Sequence, residues 1–202
     1  MSVGPGIMQD GRCPMIGEPG KDPIMSQLLN PEAMTGARDI YSRKIKPPDR
    51  RGVYAWFFEP HKLGIRSGHY EHLIDGKALL YVGVVPSVWY SKRKLPKRIK
   101  THISGTARQS TLRYSLGACL AEELGLMVVH LPGFKLNFGE SEERLTEWIC
   151  ENGYVTWVCH EEPWTMEKEL TSLLKPALNL KNNEVHPFYP ILARRREDLR
   201  KR

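Results

Sequence analysis

Two short segments rich in β-branched and aromatic residues constrain the fold of this chain most. Residues 52–58 and 79–85 each have the length and composition of a β-strand. Side chains alternate between the two faces of a strand, so Tyr81 is expected on the same face as Leu79. If the strands pair as neighbours, Tyr54 and Tyr81 can both point from one face of the sheet. Because a tyrosine pair in a sheet usually serves packing, other residues must decide whether this pair has a function.

The rest of the chain after the second strand has mainly helical periodicity. Apolar residues recur at helical spacing, and a third strand-like segment follows late in the sequence. The expected helices cover residues 95–103, 111–124, 141–150 and 166–175, and the third strand covers 154–160. The pattern therefore predicts three strands interspersed with helices.

The helix expected at 95–103 carries two polar side chains of interest. Arg98 and His102 are four residues apart, which places them on one side of a helix, at the edge of its apolar stripe. A half-buried position of this kind lets a side chain line a pocket. An ordinary surface arginine and histidine is the alternative for a helix this short.

The helix expected at 166–175 carries two glutamates, Glu167 and Glu169. They flank its apolar face on opposite sides, so periodicity alone does not choose between them. Either glutamate can simply interact favourably with the positive end of the helix dipole.

The charge balance favours a polyanionic partner. The chain has 30 Lys and Arg against 23 Asp and Glu, a formal net charge of +7, and its pI is about 9.3. Nucleic acid is the first candidate for such a partner. The loop at 86–94 interleaves Trp89 and Tyr90 with cations, a composition that suits a nucleic-acid backbone and an unstacked base; an exposed loop with incidental charge is the alternative. The predicted nucleic-acid contacts are Lys92, Arg93, Lys94, Lys97, Arg108, Arg113, Arg194 and Arg195.

Several classes of protein are disfavoured by the sequence. The longest apolar runs have the length of strands, so we expect no membrane-spanning helix, and no secretory signal is evident at the N-terminus. The four cysteines have no Cys-x-x-Cys spacing, which argues against a zinc site or a disulfide framework and favours reduced thiols in a cytoplasmic protein.

The order of these residues resembles the GIY-YIG nuclease superfamily. The first strand carries the family's GIY triplet as Gly52-Val53-Tyr54, and the second carries YIG as Tyr81-Val82-Gly83. Valine for isoleucine in both triplets conserves the packing. Arg98 matches the arginine that the family carries on the next helix.

Three further residues extend the resemblance. Glu167 lies twelve residues before Asn179, which is the family's usual interval between its metal-binding glutamate and its asparagine. That interval selects Glu167 over Glu169. The additional histidine one turn beyond the arginine, His102, is similar to the restriction-endonuclease branch of the superfamily.

The resemblance implies an α/β sandwich with a central three-stranded antiparallel sheet flanked by helices. On this basis the nuclease-like domain covers residues 49–183, with an insert at about 104–150 that matches the family poorly. Residues 1–48 are expected to form an N-terminal extension that is partly flexible or wraps the domain. Residues 184–202 form a basic C-terminal tail.

The implied activity is metal-dependent endonucleolytic hydrolysis of DNA, with RNA as substrate left open. The resemblance assigns Glu167 as ligand of one Mg²⁺ (or Mn²⁺) ion, Arg98 as phosphate contact and Tyr54 as general base. Tyr81 would position the water or the phosphate, and Asn179 would orient the helix end or the scissile region. We expect a homodimer for a palindromic target. A nucleic-acid-binding module that keeps the fold without cutting is the alternative.

The role of His102 has two alternatives. As a protonated imidazolium it would favour the phenolate of Tyr54, and as a neutral ring it would accept the proton of Tyr54. The sequence does not choose between them.

Overall fold

A computed structural model describes residues 21–133 and 135–202 of the chain. The described residues form seven β-strands: β1 (Thr35–Gly36), β2 (Gly52–Phe58), β3 (Leu73–Ile74), β4 (Lys77–Val85), β5 (Val129–Leu131), β6 (Lys135–Asn137) and β7 (Tyr154–Cys159). Five of them make one antiparallel sheet in the order β1-β7-β2-β4-β3, and β5 pairs with β6 in a separate hairpin.

The prediction of a three-stranded sheet is therefore wrong in number. The three long strands at the centre, β7, β2 and β4, are the three that the sequence predicted. The additional strands β1 and β3 lie at the edges and contain two residues each. Because two residues are too few to show alternation, no sequence pattern marks them.

The helices are α1 (Lys21–Leu28), α2 (Ala37–Tyr41), α3 (Leu95–Ser104), α4 (Thr111–Leu120), α5 (Glu142–Asn152), α6 (Glu167–Leu174) and α7 (Tyr189–Lys201). The four predicted helices correspond to α3, α4, α5 and α6. Helix α4 ends four residues earlier than predicted; residues 121–125 continue as turns up to Gly125, whose φ of +56° belongs to the left-handed region.

Strand β4 contains a bulge that decides where Tyr81 points. Trp56 pairs with Tyr81, but the next residue, Phe57, pairs with Leu79, so Leu80 has no partner on β2. Leu80 and Tyr81 consequently belong to the same core, and Leu79 belongs to the opposite one. The expectation that Tyr81 shares a face with Leu79 is wrong, since simple alternation does not anticipate the extra residue.

The sheet is covered on both faces, and every residue of β2 is buried. The first core contains Tyr54 and Tyr81 together with apolar residues of α2, α3, α4, α5 and α7. The second core lies between the other face and two helices, α1 and α6, through Ile24, Leu28 and Leu170. The two phenols thus share a face, as predicted.

The two ends of the chain meet the domain in different ways. Helix α1, the first described element, packs on the sheet within the predicted N-terminal extension, and residues 1–20 of that extension lie outside the described residues. At the other end, α7 packs against α4 and buries Leu192 and Leu199. The predicted basic tail therefore contains a helix with an apolar side.

The cysteines and the helix lengths bear on two further expectations. Cys119 and Cys150 are free thiols, whereas Cys159 is disulfide-bonded, so the prediction of reduced thiols is wrong for Cys159. Among the described helices, none has both the length and the apolar character needed to cross a membrane.

Candidate active site

The glycine of the second triplet makes room for the tyrosine of the first. Tyr54 on β2 lies opposite Gly83 on β4. A Cβ built on Gly83 would overlap the ring and hydroxyl of Tyr54, so any side chain there would displace the phenol. Gly52 is constrained in a similar way, because a Cβ would overlap the backbone carbonyl of Val158 on the neighbouring strand.

The Tyr54 hydroxyl is the centre of a buried polar cluster. His102 Nε2 lies 2.8 Å from it, and Arg98 Nε donates to it over 3.1 Å. Helix α3 delivers both side chains from consecutive turns, as their spacing of four residues predicts. Tyr54 and His102 are both fully buried, and Arg98 is half-buried.

His102 is held on its other side by Ser110. The distance between His102 Nδ1 and Ser110 Oγ is 2.7 Å, and the same oxygen accepts the backbone N–H of Arg113, which makes Ser110 the N-cap of α4. Two tautomers satisfy these contacts. Either the Tyr54 hydroxyl donates to Nε2 while Nδ1–H donates to Ser110, or both bonds run in the opposite sense.

Burial determines the protonation of the two central groups. It lowers the pKa of His102 well below its usual range, and the guanidinium groups of Arg98 and Arg113 act in the same direction. Burial also raises the pKa of Tyr54; Arg98 opposes that shift, while Tyr81 and Glu167 add to it. At neutral pH the imidazole is therefore neutral and the phenol protonated.

Tyr81 occupies a second position at the same site. Its hydroxyl lies 2.9 Å from Thr111 Oγ1 at the start of α4, and its ring centroid lies 5.5 Å from that of His102. Arg98 also donates from Nη1 to the carbonyl of Gln109 over 3.1 Å. The loop between α3 and α4 and the first turn of α4 therefore supply partners to both the tyrosine and the arginine.

Glu167 is the first residue of α6, the helix that packs on the sheet face opposite the two tyrosines, and its charge interacts with Tyr54. Its side chain is 32% exposed, and Oε2 lies 2.8 Å from Lys181 Nζ. No group of three or more metal-ligating side chains occurs in residues 21–133 and 135–202. A single half-buried carboxylate nevertheless fits Mg²⁺, which keeps several waters and binds proteins through one or two carboxylates plus substrate phosphates.

Asn179 supports the second triplet from outside the sheet. The backbone N–H of Val82 donates to Asn179 Oδ1 over 3.1 Å, and Asn179 Nδ2 donates to the Val82 carbonyl over 2.9 Å. These backbone groups lie beyond the end of β3, and no other described strand pairs with β4 on that side. Asn179 is therefore a positioning residue that continues the hydrogen bonding of β4.

Most of the predicted nucleic-acid contacts are available to solvent. Lys94 is exposed and forms an ion pair with Asp49, whereas Arg195 is half-buried against the carbonyl of Leu63 and the ring of Phe188. The other exposed members of the set are Lys92, Arg93, Lys97, Arg108 and Arg194.

Arg113 contradicts its predicted role as a nucleic-acid contact. It is fully buried and forms an ion pair with Glu142, with 2.6 Å between Nη2 and Oε2. It also donates to the carbonyl of Ile103 and to Thr146 Oγ1. A charge buried in this way is compensated inside the protein, so Arg113 is not accessible to a nucleic acid in this structure.

Ser110, Thr111 and Gln109 belong to the site but were not among its predicted residues. Ser110 precedes the apolar periodic run of α4, which is a signal for an N-cap. Its contact with His102, and that of Thr111 with Tyr81, join residues 8 and 30 positions apart. No local pattern in the sequence reports such pairs.

Comparison with known protein families places most of the chain in a catalytic domain. Residues 52–198 match the model of a family described as the GIY-YIG catalytic domain. The matched range begins at the first residue of β2, ends within α7 and contains Tyr54, Tyr81, Arg98 and Glu167. No curated protein and no solved structure matches the chain.

Proposed function

The chain belongs to the GIY-YIG catalytic domain family, and we propose that it is a metal-dependent endonuclease that hydrolyses phosphodiester bonds of DNA. Family membership supports a nuclease in general. The observation that carries the proposal is the Tyr54 hydroxyl, which is held between the neutral imidazole of His102 and the guanidinium of Arg98. This arrangement suits the activation of a water beside a bound phosphate.

Arg98 is the phosphate contact in this mechanism. Hydrolysis gathers negative charge on the phosphoryl oxygens, and a guanidinium is a permanently charged donor with a planar fork that matches them. In the described part of the chain, Arg98 has no carboxylate partner; its hydrogen bonds go to the Tyr54 hydroxyl and the Gln109 carbonyl. Its charge is therefore available to an incoming phosphate.

Tyr54 and His102 form a proton relay. The high pKa of the buried phenol means that Tyr54 carries its proton at rest, and the neutral ring of His102 can accept that proton at Nε2. Tyr54 takes a proton from the water as it passes its own to His102. Because Arg98 covers the Tyr54 hydroxyl, water reaches it when Arg98 turns towards the phosphate.

Glu167 is the residue that would hold a divalent ion, in exchange for its ion pair with Lys181. When bound, Mg²⁺ (or Mn²⁺) supplies stabilisation of the charge on the phosphoryl and leaving oxygens. A cation at Glu167 would also remove the effect by which this carboxylate raises the pKa of Tyr54.

Three finer proposals follow from the sequence resemblance and are supported by separate features. Site-specific, restriction-type cutting is supported by His102 and by the inserted α4, β5–β6 hairpin and α5, which can carry target-reading residues. A homodimer would allow both strands of a palindrome to be cut. For a cytoplasmic location, the free thiols of Cys119 and Cys150 argue in favour and the disulfide of Cys159 against.

The deciding experiment is incubation of supercoiled plasmid with Mg²⁺ and the wild-type protein, Glu167→Ala or Glu169→Ala. We expect nicking or linearisation by the wild type, loss of at least about 100-fold in rate for Glu167→Ala, and little change for Glu169→Ala, which removes the same charge from the same helix. Equal cutting by the wild type and Glu167→Ala would reject Glu167 as metal ligand.

A non-cleaving nucleic-acid-binding module is the second candidate. The observation in its favour is that Tyr54 is fully buried and that Glu167 is ion-paired with Lys181. Binding of the plasmid without cutting, by the wild type in Mg²⁺ or Mn²⁺, would establish that candidate in place of the nuclease.

A further inference from the structure

A cleft of about 280 Å³ opens beside the tyrosine pair, and we call it the arginine cleft. It lies where α7 approaches the α3–α4 loop and the start of α4. The lining residues that matter here are Arg98, Arg108, Gln109, Thr111, Tyr114 and Arg200.

The arginine cleft shares two residues with the candidate active site. Arg98 bonds the Tyr54 hydroxyl, and Thr111 bonds the Tyr81 hydroxyl, while both line the cleft. A strand whose phosphate is held by Arg98 would therefore pass directly into this space.

The cleft is strongly cationic. Three of the eight residues that line it are arginines, and none of the eight is acidic. Within residues 21–133 and 135–202, no carboxylate forms an ion pair with Arg98, Arg108 or Arg200. Glu197 forms an ion pair with Lys201 and also interacts with the charge of Arg200, and Glu122 forms an ion pair with Arg202. Like charges around a concavity favour an anion inside it.

Helix α7 is anchored so that Arg200 faces the cleft. The Tyr114 hydroxyl donates to the carbonyl of Arg196 over 2.9 Å. The guanidinium groups of Arg196 and Arg200 lie 4.0 and 5.7 Å from the centroid of the Tyr114 ring, within the range of cation–π attraction. The ring therefore sets the direction of Arg200, whose charge remains exposed to solvent.

We propose that Arg108 and Arg200 bind a backbone phosphate of the nucleic acid next to the one held by Arg98. This second phosphate subsite rests on the proposed nuclease function, because that function supplies the polyanion. The subsite gives α7 a specific role, since this helix contributes one arginine to the cleft and its other basic residues lie outside the set that lines it.

The test is the affinity for a DNA duplex, measured by fluorescence anisotropy without divalent metal at several salt concentrations. The variants are Arg108→Gln and Arg200→Gln, with Lys62→Gln as the control because Lys62 is an exposed cation that neither lines the cleft nor belongs to the predicted nucleic-acid contacts. We expect a loss of about tenfold for each cleft variant. The slope of log K against log salt should fall by about 0.9 for each lost contact. The control should change less than about twofold.

Two results would overturn the subsite: an unchanged affinity in both cleft variants, or an equal loss in Lys62→Gln, which would mean that only net charge matters. Arg200→Gln also removes a contact with Tyr114, so its thermal midpoint is compared with the wild type. Arg108→Gln, which has no such contact, decides the matter if that midpoint falls. Since binding is measured without metal, a protein that binds through the cleft but never cuts would reject the nuclease and keep the subsite.

Discussion

Two arginines on consecutive helices show how one residue type serves two purposes in this domain. Arg98 on α3 and Arg113 on α4 each organise a polar cluster, and the clusters meet at Ser110, which contacts His102 through its side chain and accepts the backbone N–H of Arg113. The Arg113 cluster is closed: its guanidinium is fully buried and is neutralised by Glu142. The Arg98 cluster is open: its guanidinium is half-buried and lines a cleft.

The difference lies in the partners rather than in the arginines. Arg113 donates to a carboxylate, two backbone carbonyls and a hydroxyl, which satisfies its charge and its N–H groups inside the protein. Arg98 donates to a neutral phenol and a neutral carbonyl. A guanidinium held by neutral groups keeps an uncompensated charge, and this is the property that a phosphate site requires.

The largest effect on stability is expected for Arg113→Ala. The substitution leaves Glu142 as an unpaired carboxylate in a buried site, which should cost about 3–5 kcal/mol of unfolding free energy. Urea denaturation followed by circular dichroism measures the loss. Arg108→Ala, at an exposed position, serves as control and should stay within about 0.5 kcal/mol. A loss for Arg113→Ala no larger than that of the control would show that the closed cluster is not structural.

The complementary change, Arg98→Ala, should act on the reaction and not on the fold. Removal of a preorganised donor from a developing oxyanion costs about 10²–10³ in rate, and we expect a change of less than about 1 kcal/mol in unfolding free energy because no buried charge loses its partner. Single-turnover cleavage at saturating protein measures the rate, and Lys97→Ala on the same helix is the control. A large loss of stability in Arg98→Ala would mean that the two clusters do not differ as described.

The sequence predicts the frame of this site well, because local patterns specify it. The three long strands, the two tyrosines on one face, and the pairing of Arg98 with His102 all follow from periodicities of two and 3.6 residues. What it misses depends on contacts between distant segments. The two-residue edge strands exist only through their partners, and the bulge at Leu80 moves Leu79 to the opposite core.

The same limit explains the error at Arg113. As a basic residue in the segment predicted to be an insert, it has the same local appearance as Arg108. The two differ because Glu142, 29 residues further along the chain, lies beside Arg113. A buried ion pair of this kind is a tertiary property that composition and charge patterning do not report.

A smaller effect is expected on the pH dependence of stability, to which the open cluster contributes through His102. Burial lowers the pKa of His102 from its unfolded value of about 6.5, so below that pH the unfolded chain binds a proton that the folded chain does not. The contribution of His102 to the unfolding free energy is therefore fully present above about pH 6.5. As the pH falls, this contribution is lost by about 1.4 kcal/mol per pH unit, until the pH reaches the pKa of His102 in the folded protein. Denaturation of the wild type and of His102→Gln between pH 7 and pH 5 measures this.

The comparison of the wild type with His102→Gln isolates the effect of His102 on the pH dependence of stability. His72 and His186 also have pKa values lowered by burial, and both remain in the variant. We expect the slope of unfolding free energy against pH to be smaller in His102→Gln by about one proton. Identical slopes would mean that His102 binds its proton over the same pH range in the folded and unfolded states, so that burial does not hold its ring neutral.

The smallest effect concerns the residue that the two clusters share. Ser110→Ala removes the N-cap of α4, which should cost about 1 kcal/mol of stability, and it removes the partner of His102 Nδ1. The cleavage rate should fall less than in Arg98→Ala, because the bonds of Tyr54 to Arg98 and to His102 Nε2 do not involve Ser110. Ser104→Ala, which removes a hydroxyl from the end of α3 outside both clusters, is the control. If Ser110→Ala loses stability with an unchanged rate and an unchanged pH dependence of that rate, the closed cluster uses Ser110 and the open cluster does not, and the orientation of His102 must then come from Tyr54 alone.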